Sequence, residues 1–423
     1  MRYARRILDD ELDELLTGLS AVAIEGPKAV GKTATASERA RTVHQMDDPA
    51  QRQVALADPA RLLIGKPPIL IDEWQRAPES WDLVRRAVDQ DPSPNRFILT
   101  GSANPTDPST HSGAGRIVRL RMRPLSLAER GIQAPTVSLA ELLKGRRPPV
   151  SGETAVTLGD YTNEIVASGF PAIRNLRDRA LRTQLDSYVA RIADKDFLEF
   201  GHSVRNPEVL RRWMRAYAAA TATTATLETI RDAATSGEGA KPSRDIVLQH
   251  RSILERLWIL DPVPAWLPSR NQISRLGQPD KHHLADPALA ATLLGVGVDA
   301  LLEGDDAGIG MPRDGTLLGH LFESLVTQSV RVYAQAAEAQ VRHLRTHNRR
   351  HEVDLIVVRP DGRVIGMEMK LARTVTDADA RHLLWLKNEI GDDLLDSIII
   401  TTGPHAYRRE DGIAVVPAAL LGP

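Results

Sequence analysis

Gly26-Pro27-Lys28-Ala29-Val30-Gly31-Lys32-Thr33 is the stretch on which the reading of this chain turns. Ahead of it runs Ala21-Val22-Ala23-Ile24, short and apolar like a buried strand; behind it, Ala34 to Arg41 reads as helix. A glycine-bounded turn between strand and helix lets the backbone fold around phosphate groups. The helix N-terminus then turns its unpaired amides toward them. Lys32 supplies a point charge for the outer phosphates and the Thr33 hydroxyl a ligand for magnesium. Read as a plain glycine turn, the same stretch leaves Lys32-Thr33 without a role.

The rest of the composition bounds the chain more loosely. At 423 residues it has room for about two or three domains. Hydrophobic content of 42% and charged content of 26% are those of an ordinary globular protein. A net charge of -1 provides no overall basic field, so any nucleic-acid site must be a local patch. Aromatics at 4% argue against a broad base-stacking platform. Cysteine is absent, which excludes disulfides, thiolate zinc sites and cysteine nucleophiles. Arg and Asp residues cross the segment Met1 to Asp13, leaving no apolar signal core, and no apolar run approaches the roughly eighteen residues of a membrane span. The expectation is a cytoplasmic protein without a membrane partner.

Working outward from the loop, Ile7, Leu8, Leu12, Leu15, Leu16 and Leu19 fall on one helical stripe. Val54-Ala55-Leu56-Ala57 reads as a second strand, stopped by Asp58-Pro59. Pro68-Ile69-Leu70-Ile71-Asp72-Glu73 is an apolar run ending in two carboxylates, followed by a helix with Trp81, Val84 and Val88 at helical spacing. Arg96 to Ser102 and Ile117 to Leu120 are further short strands. Strands alternating with helices, several apolar throughout, predict a parallel sheet covered on both faces. Gly145-Arg146-Arg147-Pro148-Pro149 reads as a linker, and residues 304–315 as a second joint. Between them, two helical stripes are followed by helix, turn, helix and a pair of strand-like runs at 258–260 and 281–285, the order of a winged helix-turn-helix.

Asp72 and Glu73 extend the phosphate reading to hydrolysis. At a strand end Asp72 can hold magnesium through its water shell, and Glu73 can orient or deprotonate a water. Thr100 and Ser102 are placed either to touch the terminal phosphate or simply to satisfy a turn. Arg116, ahead of the fifth strand, is either a phosphate sensor or a surface salt-bridging side chain.

These motifs, with Leu-Ile-Asp-Glu-Trp-Gln at 70–75, Leu-Thr-Gly-Ser at 99–102 and Arg-Pro-Leu-Ser-Leu-Ala-Glu at 123–129, resemble a prokaryotic family of AAA-type ATPases. In that family an ATP-binding domain precedes a conserved C-terminal domain of unknown function, and the likeness spans nearly the whole chain. It implies ATP and Mg2+ as ligands, Lys32 and Thr33 on phosphate and magnesium, Asp72 on magnesium and Glu73 on water. Lys28 stands where such loops often carry Arg, keeping the charge without the planar fork.

Toward the C-terminus, Glu323 on a helix, Asp354 in a strand and Glu368-Met369-Lys370 in the next are similar to the PD-(D/E)xK nuclease core. There the carboxylates, here Asp354 and Glu368, hold a divalent metal and the lysine serves the nucleophile. Glu368 and Lys370 share a strand face by period two. Asp354 joins that face only if the hairpin closes through a three-residue loop, Pro360-Asp361-Gly362 with Gly in the left-handed position; a two-residue turn would set it opposite Met369. The longer loop is the expectation. Just upstream, Arg342, His343, Arg345, His347, Arg349, Arg350 and His351 form the densest basic run, either phosphate-facing or an exposed charged strand. Lys241, Arg244, His250, Arg251 and Arg256 mark the would-be recognition helix, which either contacts DNA or serves as an intramolecular spacer.

Taken together, the sequence predicts an α/β chain: a P-loop AAA-type parallel-sheet ATPase domain over 1–135, a winged-helix helical middle over 150–300, and a C-terminal restriction-endonuclease-like α/β domain over 312–423. The expected function is ATP binding and hydrolysis as a conformational switch for the later domains, acting on nucleic acid. An ATP-regulated metal-dependent nuclease and a non-catalytic switch that binds a protein partner are the alternatives, and the sequence leaves oligomer formation open.

Overall fold

The computed structural model describes residues 3–102, 114–197, 207–235, 241–267, 279–303, 315–346 and 350–423. The expected turn at 236–239, the 304–314 part of the joint, and His347 and Arg349 of the basic run lie outside them.

The N-terminal section begins with helix α1 (Leu8–Gly18) and builds a five-stranded sheet in the order β2-β3-β4-β1-β5. Its strands are β1 (Ala21–Glu25), β2 (Thr42–Gln45), β3 (Ile69–Asp72), β4 (Phe97–Gly101) and β5 (Val118–Arg121), and every pairing is parallel. Every residue of β1, β3 and β4 is buried, which is why these runs are apolar without alternation. Helices α2 (Lys32–Ser37), α3 (Pro49–Ala57) and α4 (Glu79–Gln90) connect them, and α4 buries Trp81 against Trp74 with ring centroids 4.5 Å apart.

Val54 to Ala57 is the last turn of α3, not a strand. Asp48 caps that helix by accepting from the Ala50 N–H at 2.8 Å, and Pro49 takes the first helical position, where its missing N–H costs nothing. Val54 and Leu56 are exposed, so their apolar character reported no core face. The second strand is Thr42–Gln45, at the sheet edge, whose exposure alternates.

The segment expected as a linker, 145–149, has no helix or strand of its own but runs between short elements that pair with the chain's later strands. After α5 (Leu127–Arg130) come β6 (Val137–Ser138), α6 (Leu139–Leu143) and β7 (Gly152–Glu153). β6 pairs with β14 (Leu421–Gly422) and β7 with β12 (His405–Arg408), both near the chain's end. Arg147 donates to the Leu395 carbonyl at 3.2 Å, and Arg408 to the Pro148 carbonyl at 3.0 Å. Residues 137–153 therefore belong with the C-terminal section, β7 at the edge of its large sheet and β6 in a separate two-stranded sheet with β14. Composition marks Pro and Arg as linker-like but does not show which carbonyls they meet.

The helical middle holds α7 (Leu158–Ala167), α8 (Pro171–Arg174) and α9 (Asp178–Arg191), which continues into a π-helical turn, Ile192–Asp196. It goes on through α10 (Pro207–Ala219), α11 (Leu227–Ala233) and α12 (Arg244–Arg256). Ser243 caps α12 by accepting from the Ile246 N–H at 3.3 Å. Antiparallel bridges at Leu260–Leu284 and Val263–Lys281 follow, then α13 (Pro287–Leu294) and α14 (Val298–Glu303).

The C-terminal section is a mixed seven-stranded sheet, β7-β12-β13-β11-β10-β9-β8. Strands β8 (Gln340–Arg345), β9 (Glu352–Val358) and β10 (Val364–Lys370) form an antiparallel meander; β11 (Leu394–Thr401) and β13 (Ala414–Pro417) run parallel to β10. Helix α15 (Gly315–Ala336) and helix α16 (Asp377–Ile390) supply apolar cover to the sheet. One apolar core is continuous from Leu12 of α1 through Phe322 and Tyr333 of α15 to Leu421.

Candidate functional site

β1 delivers the loop at the carboxyl edge of the parallel sheet. Its first glycine is sterically required: a Cβ on Gly26 would lie 2.2 Å from the Met122 carbonyl oxygen. Gly31 closes the loop at φ 108° and starts α2. Lys32 is buried, its ammonium donating to the carbonyls of Gly26 and Pro27, both at 2.9 Å. Burial lowers its pKa to about 8, against the opposing pull of Glu73 and Asp72.

Because β3 and β4 run parallel to β1, their ends arrive beside the loop. Thr33 Oγ1 donates to Asp72 Oδ1 at 2.7 Å, and the Thr100 hydroxyl donates to the same oxygen. Burial raises the Asp72 pKa, and these hydroxyls act against it. Glu73 holds φ 53° and ψ 46°, left-handed backbone that costs a side-chain-bearing residue about 1–2 kcal/mol. Its Oε2 accepts from Gln75 Nε2 at 2.6 Å and from Ser102 Oγ at 3.0 Å. The sequence shows Gln75 two residues after Glu73 but not the bracket it forms.

Thr33 and Asp72 give hydroxyl and carboxylate oxygens, the hard donors that suit magnesium, which takes one or two protein ligands and completes its shell with phosphate and water. The residues present fit that ion.

Arg116 lies elsewhere. β5 runs parallel to β1 with Val118 beside Val22, so the residues before β5 are at the opposite end of the sheet, more than about 13 Å of strand from the loop. Arg116 donates to Asp89 at 2.7 Å on an exposed surface. Arg116 stands here as a surface salt-bridging side chain, away from the phosphate loop.

Three contacts from outside the motif secure the loop. Arg6 donates to the Val30 carbonyl at 3.0 Å and pairs with Glu129 at 2.8 Å, both side chains buried. Lys28 pairs with Asp196 of the π-helical turn at 2.6 Å, while Tyr188 of α9 donates to the Lys28 carbonyl at 3.2 Å. Neither Arg6 nor Asp196 is in a motif; only the fold brings them to the loop.

In the C-terminal section the hairpin has the expected register. Val358 pairs with Val364 and Leu355 with Met367, which sets Asp354 opposite Glu368. The loop is Pro360-Asp361-Gly362, with Gly362 at φ 87° and the Arg359 N–H donating to the Arg363 carbonyl at 2.9 Å. The Met369 N–H donates to Asp354 Oδ2 at 2.9 Å, and Lys370 pairs with Glu368 at 3.1 Å. A second cation in this cluster is Lys281. Its ammonium is 2.7 Å from Glu323, 3.1 Å from Asp354 and 3.6 Å from Glu352. Among the described residues no group of His, Asp and Glu is arranged to hold a metal, so a divalent ion does not fit this cluster as it stands. The sequence pattern marks Lys281 only as the start of a strand.

The basic residues expected to meet nucleic acid are largely engaged. His250 is buried edge-on to Phe197 and Trp213; Arg251 pairs with Glu255 and Asp280; Lys241 pairs with Glu228 and Asp232. His343 is buried, Arg345 pairs with Glu352, and His351 stacks on Trp385 at 4.1 Å. These side chains are already partnered within the chain, and β8 is half-buried rather than an exposed charged strand.

Comparison with known proteins agrees with part of this. Residues 19–130 match an AAA domain, residues 158–300 a domain of unknown function (DUF8612), and residues 318–421 a further domain of unknown function (DUF4143). Uncharacterized proteins of Mycobacterium tuberculosis and Mycobacterium bovis are each 24% identical over 429 residues, spanning 99% of this chain and 84% of the relative. Among solved structures, a Walker-type ATPase of Pyrococcus abyssi superposes at a TM-score of 0.37 with 16% identity, covering 67% of this chain and 94% of that one. The ORC2 protein of Aeropyrum pernix gives 0.30 and 15%, with 72% and 97% covered. The N-terminal section is an AAA-type P-loop domain. The C-terminal match names no chemistry.

Proposed function

We propose that this protein binds and hydrolyses ATP with Mg2+ at residues 26–33, and that nucleotide occupancy alters how the N-terminal section grips the helical middle. The observation that carries the first half is the Thr33–Asp72 hydrogen bond at 2.7 Å, which joins the loop's hydroxyl to the strand-end carboxylate beside the folded-back Lys32. Magnesium, when bound, supplies charge neutralisation across the outer phosphates. Lys32 binds those phosphates, Thr33 and Asp72 hold the ion, and Glu73 orients water, with Gln75 and Ser102 fixing its carboxylate. Support for the second half comes from Lys28. Its ammonium rests on Asp196, so an anion entering the loop competes with a carboxylate of the middle section for the same charge.

For the C-terminal section we favour an interaction role over a nuclease, because Lys281 stands among the carboxylates that would hold a metal.

The test is nucleotide binding and steady-state hydrolysis by wild type, Lys32→Ala and Glu73→Gln, with magnesium and with chelator. Lys32→Ala should lose both activities. Glu73→Gln should keep binding while turnover falls by about a hundredfold or more. Wild-type turnover in Lys32→Ala would overturn the reading.

A further inference from the structure

Lys281 is fully enclosed, yet it belongs to the bridged pair of the helical middle rather than to the domain whose carboxylates surround it. Its backbone is held there by Val263, through N–H to carbonyl bonds of 2.9 Å in both directions. From that fixed point the side chain enters the C-terminal section and meets Glu323 of α15 and Asp354 and Glu352 of β9. An ammonium has three donors and no acceptor; Glu323 and Asp354 accept from it, and Glu352 adds negative charge at 3.6 Å. The 2.7 and 3.1 Å separations suit an N–H···O contact; magnesium would need about 2.1 Å. A buried charge persists only when paired, and this one is paired across two sections.

A second observation shows that the cluster has more negative capacity than Lys281 uses. Glu368 is buried beside Asp354; Lys370 takes its Oε2, and its Oε1 has no hydrogen-bond partner. Burial and the neighbouring Asp354 push the Glu368 pKa well up, so this carboxyl holds a proton and has capacity for further positive charge in its place.

We propose that Lys281 is the resident cation of this carboxylate site. It latches the helical middle to the C-terminal section and excludes divalent metal, and removing its charge converts the cluster into a divalent-cation site that includes Glu368. The exclusion is electrostatic and steric: the ammonium occupies the space between Glu323 and Asp354, and a second cation there would meet a fixed positive charge.

The experiment uses the full-length chain without nucleotide, with Mn2+ as probe, followed by calorimetry and by melting temperature. Wild type should show no Mn2+ binding that Glu368→Gln removes, and its melting temperature should not respond to millimolar Mn2+. Lys281→Met should melt lower, gain Mn2+ affinity by at least about tenfold, and recover stability when Mn2+ is added; Lys281→Met with Glu368→Gln should lose that gain. Lys281→Arg keeps the charge, so it should stay folded and remain unresponsive to Mn2+. A stoichiometric wild-type Mn2+ site abolished by Glu368→Gln would overturn the proposal, a result that does not depend on whether Lys281→Met folds. So would Lys281→Met melting like wild type without gaining Mn2+ affinity.

Discussion

Lys32 donates to two carbonyls of its own loop, and burial holds its pKa near 8. Phosphate in the loop would replace those neutral acceptors with negative charge and raise the pKa. The sign follows: binding is supported where Lys32 is already charged, below about 8, and weakens as pH rises through the bound-state value. Between the two values binding must take up a proton. ATP affinity should therefore fall from pH 8 upward, with proton uptake seen in calorimetry across buffers of different ionisation enthalpy; a flat profile from pH 8 to 10 would count against it. Gln75 offers a second test at this scale. Gln75→Ala removes one of two donors that fix Glu73 Oε2, so turnover should drop by about tenfold while nucleotide affinity holds. If affinity falls and turnover does not, Gln75 serves the loop's stability instead. The motif residues were legible in the sequence because phosphate chemistry dictates their type and spacing. Arg6, Asp196 and Lys281 were not, since a single buried ion pair has no periodicity and its partner lies more than 40 positions away in the chain.

The elements divide the same way. Buried strands such as β1, β3 and β4 announced themselves because a parallel sheet covered on both faces needs apolar residues at every position. Edge strand β2 and helix α3 did not, because Thr42 to Gln45 carries edge polarity while α3 displays Val54 and Leu56 to solvent. The β9–β10 hairpin is the opposite case, where turn chemistry decided a register and, through it, the neighbours of Asp354. Gly362 sits at φ 87° with open space around it, so an added Cβ meets strain without a clash. Gly362→Ala should destabilise the chain by about 1 kcal/mol, and Gly362→Asn by less, as asparagine tolerates this backbone. Denaturant titration checks the order, and equal stability of Gly362→Ala and wild type would show that the turn does not fix the hairpin.

Across the whole molecule the sections are not beads on a string. The apolar core is continuous from α1 to the final strand, and the stretch between 137 and 153 crosses over to pair with β12 and β14. Composition could not show this, because a junction held by backbone carbonyls leaves no pattern in residue type. The sections also converge on one carboxylate. Asp261 follows the helical middle's α12, is buried, and meets Arg121 at 3.1 Å, Arg123 at 3.0 Å and Arg331 of α15 at 2.9 Å. Arg121 is the register partner of Glu25, the residue before the phosphate loop, so this charge cluster ties the nucleotide edge of the sheet to the long C-terminal helix. Burial alone would raise the Asp261 pKa, but the guanidiniums of Arg121, Arg331 and Arg123 outweigh it and hold the carboxyl well below the usual range. A depressed carboxylate stabilises the fold above its unfolded pKa, about 3.9, and that contribution is lost as pH falls below it. Asp261→Ala leaves buried guanidiniums uncompensated and should cost about 3–5 kcal/mol at neutral pH. Asp261→Asn should cost less and should flatten the fall of stability below pH 4, since the group responsible no longer titrates. Denaturant titrations at neutral pH and through the acid range measure both effects, and an Asp261→Asn chain with wild-type stability and wild-type acid sensitivity would show that the three arginines hold the sections together without this carboxylate.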